Sequence, residues 1–379
     1  MHRRWKIILI LLIVAVLVTS YFYMPYIRQM VHPDLILASS GKAIPFSQEE
    51  FLHFYKDGMV LCGSPSRFYS WDGAEQKSPF EQEDVSAEGE KISIVAHSKH
   101  YIVTAGNRIY NTQTVPFSKV YENKDLSIWD IKECGDFLLL LVKNKESIIE
   151  PLIFARGEDS LLPLDGMGDA KFLSADSPMG EEGNKDLSLL TMSMDNPVPF
   201  SRIFHFVNRN ELFGVLSLKD QLLYNIYRLR DTVVLMGNRD ILCYNVNGKQ
   251  KWSIKNNFDG KFDAIHGKDG LLLYFPNCSD IEKEKGNGLT VNNSGEYSVK
   301  IFPKYLTNLQ PYQNGYLGLE YGRTVVFLGK TGEILKKQNL KEPVNAIEIN
   351  PYQSERLYVR TKNNDLQIYT PKKQGENKK

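Results

Sequence analysis

The stretch 231–255, DTVVLMGNRDILCYNVNGKQKWSIK, constrains the fold more than any other part of the chain. Its pattern predicts three β-strands. Residues 232–236 form a short apolar run, as expected of a strand covered on both faces. Residues 241–246 form the second strand. In the third, Gln250, Trp252 and Ile254 alternate with Lys249, Lys251, Ser253 and Lys255, so one face is apolar and the other polar. Gly237-Asn238 and Asn247-Gly248 supply the turns. The second is expected as type I′, which requires positive φ at both central residues. Such a unit exposes two strand edges and a bare apolar face, so it demands neighbours of its own kind.

Those neighbours recur along the chain with drift, in the spans 58–80, 101–120, 137–164, 187–218, 271–302, 316–338 and 357–369. Each repeats an apolar run, a turn, a strand, a polar turn and an amphipathic strand. Residues 92–96, 127–131, 224–229, 262–265 and 344–349 add a further short strand between copies. Four strands recurring every ~35 to 50 residues is the signature of propeller blades. The expectation is an all-β, eight-bladed β-propeller over residues 46–370. Seven is the alternative count, because the third and fourth copies are the least regular. A β-sandwich is the competing architecture, since strands at regular short spacing suit it too. The eighth copy lacks an outer strand. Residues 27–45 form a connector with two strand candidates, 34–38 and 43–46, separated by Ser40-Gly41-Lys42. Either could complete the eighth sheet and remove its open edge.

The N-terminus carries Arg3, Arg4 and Lys6, followed by the uncharged run 7–23. Extended to residue 26, that run is long enough as a helix for one crossing of a ~30 Å hydrocarbon core. Trp5, Tyr21, Phe22, Tyr23 and Tyr26 sit at its ends, where interfacial aromatics belong. The basic residues precede the span, which predicts a cytoplasmic stub (1–6), one transmembrane helix (7–26) and an extracellular remainder at the cell membrane. A cleaved signal peptide is the competing reading. Thr19-Ser20-Tyr21 runs into bulky aromatics and offers no small-x-small site, so an uncleaved signal anchor is expected. The tail 371–379, PKKQGENKK, has the composition of a disordered end.

Formal net charge is +1, so no bulk field favours nucleic acid, and no nucleic-acid partner is expected. Cys62, Cys134, Cys243 and Cys278 fall in four different copies, too far apart for disulfides, and are expected as buried thiols. His97 and His100 are close but lack a carboxylate at ligand spacing, so packed or surface histidines are expected and no metal site. Gly286-x-Gly288 is a turn. No G-x-S-x-G, Walker A or G-x-G-x-x-G pattern occurs.

The unit around Asn247-Gly248 and Trp252 resembles the repeat of the PQQ-like (quinoprotein-like, BamB-like) propellers. Asn293–Gly295 and Thr331-Gly332 match that repeat's turn alone. The whole layout resembles single-span membrane propeller proteins of Gram-positive bacteria. The resemblance implies a propeller fold. It would imply PQQ chemistry only with a vicinal Cys-Cys pair, which is absent, so no cofactor is expected. Two charged loops are the candidate recognition elements, because loops on a rigid scaffold often carry binding. One is 279–287, with Asp280, Glu282, Lys283, Glu284 and Lys285. The other is 174–185, with Glu181 and Glu182. The function expected is a non-catalytic binding or scaffolding module in the cell envelope, its partner an envelope protein or wall polymer. The alternative is a propeller enzyme or carbohydrate-binding protein with a site over the central funnel.

Overall fold

The computed structural model describes residues 37–371 apart from 81–91, 106, 144–147, 156–159, 165, 168–170, 180–184, 194–199, 220, 259–260 and 282–283. The expected cytoplasmic stub, transmembrane helix and polar tail lie outside the described residues. Among the described residues no helix is long and apolar enough to cross a membrane.

Eight antiparallel sheets follow one another along the chain, besides one two-stranded hairpin. Seven have four strands and the first has three, hydrogen-bonded in chain order except where the last sheet borrows a strand. Two compact units hold them. Phe46–Lys300 contains sheets 1 to 6, and the segments up to Pro45 and from Ile301 onward contain sheets 7 and 8.

Sheet 5 shows how the sequence builds a blade. Its strands are Leu223–Arg228, Thr232–Gly237, Asp240–Asn245 and Gln250–Lys255. Every residue of Thr232–Gly237 is buried. Val233 and Leu235 pack with Leu190 and Ile203 of sheet 4. Val234 and Met236 pack with Leu271 and Leu273 of sheet 6. Side chains on a strand alternate between faces, so a run apolar at every position is what a sheet covered on both sides requires. Within the larger unit, apolar clusters join sheets 1 and 2, 2 and 3, 3 and 4, 4 and 5, and 5 and 6. In the other unit one cluster joins sheets 7 and 8. A sandwich would cover only one face of each sheet. These sheets are the blades of an all-β, eight-bladed β-propeller.

The outer hairpin of sheet 5 is not type I′. Gly248 donates its N–H to Asn245 O at 3.0 Å, and of the turn residues only Gly248 has positive φ, at 82°. The register then shifts beside Tyr244, as a left-handed glycine bulge requires. The same turn recurs at Ser70–Gly73, Asn292–Gly295 and Gly329–Gly332, each closed by a glycine with φ between 78° and 89°. Asn245 Oδ1 accepts from Lys249 N and Asn292 Oδ1 from Glu296 N, which explains asparagine at the first position.

Other expectations need correction. Residues 75–80 form no strand, only isolated bridges from Tyr69 to Glu75 and from Phe80 to Phe117. Pro79 has no N–H to give a ladder, and Phe80 turns inward against Phe68, Tyr110 and Phe117. The sequence pattern does not mark the first strands of sheets 1, 4 and 7, Phe51–Tyr55, Lys171–Asp176 and Leu306–Tyr312. The acidic loop expected from residue 174 therefore starts after Asp176. Residues 34–36 lie outside the described residues; the described parts of the two N-terminal strand candidates belong to one strand, Leu37–Pro45, which pairs with Asp365–Pro371 across a register break between Ser39 and Ala43. It is the outer strand of sheet 8, as that sheet's missing edge led us to expect.

Candidate functional site

The first strands of sheets 3 to 6 bring four ionisable residues together. Asp176 is 4% exposed. Its carboxylate accepts from Lys132 Nζ at 2.7 Å, from His266 Nδ1 at 2.8 Å and from the Arg228 backbone N–H at 2.8 Å. Burial pushes the Asp176 carboxyl up, but Lys132 and His266 outweigh it and hold it below the usual carboxylate range. Burial likewise works against the charged Lys132, and Asp176 reverses this and raises it. The half-buried Tyr227 phenol is raised by burial and by Asp176. His266 Nε2 is buried without a partner among the described residues.

A second group joins the first strands of sheets 1 to 3. His53 is 2% exposed, with Nδ1 3.4 Å from His97 Nδ1 and Nε2 3.1 Å from Thr112 Oγ1. Burial, then the neighbouring His97, lowers His53 to about 3. Glu133 accepts from His100 N, His100 Nδ1 and Ser98 Oγ. Burial raises its carboxyl, but these bonds bring it below the ordinary value. His100 thus has a carboxylate partner after all, 33 residues along the chain, where local spacing could not show it. Farther along, Ser188 Oγ lies 2.9 Å from His205 Nδ1, both buried, and burial with Arg228 lowers His205 to about 4. In the first two groups ionisable side chains of neighbouring strands pair with one another, and in the third His205 pairs with a serine hydroxyl. That arrangement fixes strand against strand.

The loop residues singled out in the sequence fare unevenly. Asp280–Ile281 and Glu284–Lys285 form a small hairpin, with Asp280 opposite Lys285 and Ile281 opposite Glu284. Ile281 is fully buried and anchors it to the apolar cluster of sheets 5 and 6. Asp280, Glu284 and Lys285 are exposed. Glu181, Glu182, Glu282 and Lys283 lie outside the described residues. Among the described residues no group of three or more His, Cys, Asp or Glu could hold a metal ion. All four cysteines are free, and Cys278 is half-buried where full burial was expected.

Two surface features escaped the sequence reading. The first is the outer strand of sheet 4, Glu211–Leu218, which carries no charged side chain from Leu212 onward. Leu212, Phe213 and Val215 are 40%, 54% and 49% exposed. The outer strands Ser118–Glu122, Gln250–Lys255 and Ile334–Asn339 each carry two charges or more. The second is an open cleft of about 710 Å³ between sheets 7 and 8, lined by Tyr321, Arg323, Asn339, Lys341 and Lys362 among others. Tyr321 is 74% exposed and stacks on the exposed Tyr305, ring centres 5.9 Å apart. Both tyrosines have positive φ, 62° and 51° for Tyr305 and Tyr321. That conformation is uncommon for a bulky residue, and nothing local in the sequence marks it.

No protein-family model and no curated protein matches the chain. Among solved structures it is similar to BamB from Moraxella catarrhalis, at 12% identity over 88% of this chain and 100% of that one, with a TM-score of 0.46. It is similar to the Pan2 WD40 domain of Neurospora crassa at 7% identity over 75% and 89%, TM-score 0.43. The Cps50 (Swd1) β-propeller domain of Myceliophteria thermophila gives 10% identity over 89% and 100%, TM-score 0.43. These likenesses extend to the fold and no further.

Proposed function

We propose that the chain is a single-pass membrane protein whose propeller lies outside the cell and acts as a non-catalytic binding module in the envelope. The basic residues before the apolar run 7–23 support the anchor and its orientation. The observation that carries the binding role is the outer strand Glu211–Leu218. An uncharged, apolar sheet edge is what natural proteins avoid leaving open, because it pairs with other chains. Here it is flanked by the exposed charges of Glu211 and Lys219. Its occupant is an extended segment of an envelope protein with alternating apolar side chains, added as a further strand. The pairing of Asp176 with Lys132 and His266, and of Glu133 with His100, supports a structural rather than catalytic role for the first strands.

The test is a photo-crosslinking residue at Phe213 of the full chain in its own cells, with adducts identified by mass spectrometry. The expected result is one extracytoplasmic protein whose adduct disappears in the Val215→Lys variant. An adduct with a cytoplasmic protein, or one indifferent to Val215→Lys, would overturn this reading. Adducts between two copies of the chain would replace it with self-association.

A further inference from the structure

We infer that the cleft between sheets 7 and 8 binds an anionic glycan, a sugar chain bearing phosphate or carboxylate groups. The inference deepens the binding-module reading above and names a ligand class for a second surface.

The cleft offers donors. Arg323, Lys341 and Lys362 are exposed around it, and none of the three forms an ion pair among the described residues. Asn339 Oδ1 accepts from Thr324 Oγ1 at 2.8 Å, which leaves the two Asn339 amide N–H groups for a ligand. The nearby Glu342 carboxylate is engaged by Asn363 Nδ2 at 3.2 Å and is not part of the lining. The nearby Lys337 is held by Glu320 at 2.7 Å and does not line the cleft. Backbone bonds hold the rim in place. Val344 N donates to Gly322 O at 2.7 Å, Leu340 N to Arg323 O at 2.9 Å and Lys362 N to Pro343 O at 2.9 Å. Three clustered cations on a rigid frame select oxyanions.

The stacked tyrosines supply the second half. Tyr321 lines the cleft, and Tyr305 extends its ring surface outward. Flat rings beside a donor-rich cleft suit a ligand with an apolar face and charged substituents. A sugar ring presents C–H bonds on its face and can carry an oxyanion on its rim. A bare acidic peptide would use the cations and leave the rings unoccupied. A nucleic acid could use both, and is therefore an outcome of the test.

The experiment measures fluorescence anisotropy of labelled chains on the full-length protein in detergent micelles. The probes are a glucose-1-phosphate-linked oligomer, oligogalacturonate, neutral dextran, oligo-dT and a poly-glutamate peptide. Binding of either charged glycan at least ten-fold tighter than dextran, oligo-dT and poly-glutamate is expected. The phosphate and carboxylate probes decide which oxyanion is preferred. Lys341→Glu with Lys362→Glu should weaken that binding ten-fold or more. Tyr321→Ala should weaken it about ten-fold, while Lys56→Glu, on an exposed turn of sheet 1, should leave it unchanged. All variants should keep the parent denaturation midpoint, and Arg323→Gln serves in place of any that does not. No glycan binding, equal binding of oligo-dT or poly-glutamate, or indifference to the cleft substitutions would overturn the inference. Crosslinking at Phe213 in the Lys341→Glu, Lys362→Glu protein separates the two readings, because the protein-docking edge should survive there even if the cleft binds nothing.

Discussion

Trp252 donates its indole N–H to the backbone carbonyl of Gly295 at 2.7 Å, joining the outer strand of sheet 5 to the outer turn of sheet 6. Lys251 Nζ reaches Ser294 O in the same turn at 2.6 Å, and the Trp252 ring lies edge-on to Tyr297, centres 5.1 Å apart. The repeat's tryptophan thus fastens one blade to the next. Trp252→Phe keeps most of the apolar contact and removes the donor. It should cost about 1 to 2 kcal/mol in urea denaturation, the worth of a part-buried hydrogen bond plus some packing. Lys251→Ala, at an exposed bond, should cost under about 0.5 kcal/mol. Equal costs for the two would show that the indole bond contributes nothing.

The turn glycines allow a paired comparison. Gly248 and Gly295 share the left-handed conformation, with φ of 82° and 78°. A Cβ on Gly248 would meet only Leu216 Cδ1, at 3.9 Å, whereas one on Gly295 would lie 2.9 Å from Thr232 Cγ2. Gly248→Ala should therefore cost about 1 kcal/mol, the backbone term alone. Gly295→Ala adds a clash with a β-branched side chain of sheet 5 and should cost at least about 1 kcal/mol more. Thermal or urea midpoints of the two variants decide it.

Asp176 is the hub of the first strands, and removing its charge strands its partners. Asp176→Asn leaves Lys132 and His266 beside a neutral amide, and loss of a buried ion-pair partner typically costs about 3 to 5 kcal/mol. Because the Lys132 side chain is 45% exposed, solvent screening places the expected cost toward the lower end. Lys132→Met in the same chain should recover part of the loss, since the unpaired ammonium is then gone. Strict additivity of the two substitutions, read from urea midpoints, would mean that the pair is not coupled.

The blade count, the completion of sheet 8 and most strand positions were legible because they rest on local signals: period-two alternation, apolar runs and turn glycines. Arg67–Ser70, Thr324–Leu328 and Val344–Ile349 all sit where pattern alone put them. The strands Phe51–Tyr55, Lys171–Asp176 and Leu306–Tyr312 were illegible for a common reason. These strands carry polar residues such as His53, Asp176 and Asn308, which look like loop sequence even though His53 and Asp176 are buried. The same residues make the buried polar groups, whose partners lie tens of residues apart. His53 pairs with Thr112 at a separation of 59 residues, and Lys132 with Asp176 at 44. Nothing near Asp176 in sequence announces Lys132 or His266. The cleft was hidden likewise, because Tyr321, Lys341 and Lys362 converge only when sheets 7 and 8 pack.

Two buried histidines give the fold a dependence on pH that begins well above the carboxylate range. His53 is lowered to about 3 by burial and by His97, and His205 to about 4 by burial and Arg228. Both are neutral in the folded protein throughout the mildly acidic range, while in the unfolded chain each takes up a proton near pH 6.5. Below that point the unfolded state binds more protons, so stability falls as pH falls. The window runs from about 6.5 down to the folded values, with a slope of about 1.4 kcal/mol per pH unit for each histidine. Asp176 and Glu133 add a later loss. Their folded values are depressed, so their contribution is present above the unfolded carboxylate range and disappears as pH drops through the folded values. Urea denaturation of the wild-type chain should therefore weaken steadily from pH 7 to 5 and more steeply below about 4. His53→Gln, which keeps a hydrogen-bonding group near Thr112 Oγ1, and His205→Gln should each remove part of the slope between about pH 6.5 and 5, and His97, also lowered by burial, accounts for a further part. A wild-type midpoint that stays flat from pH 7 to 5 would mean that these rings take up their protons without unfolding.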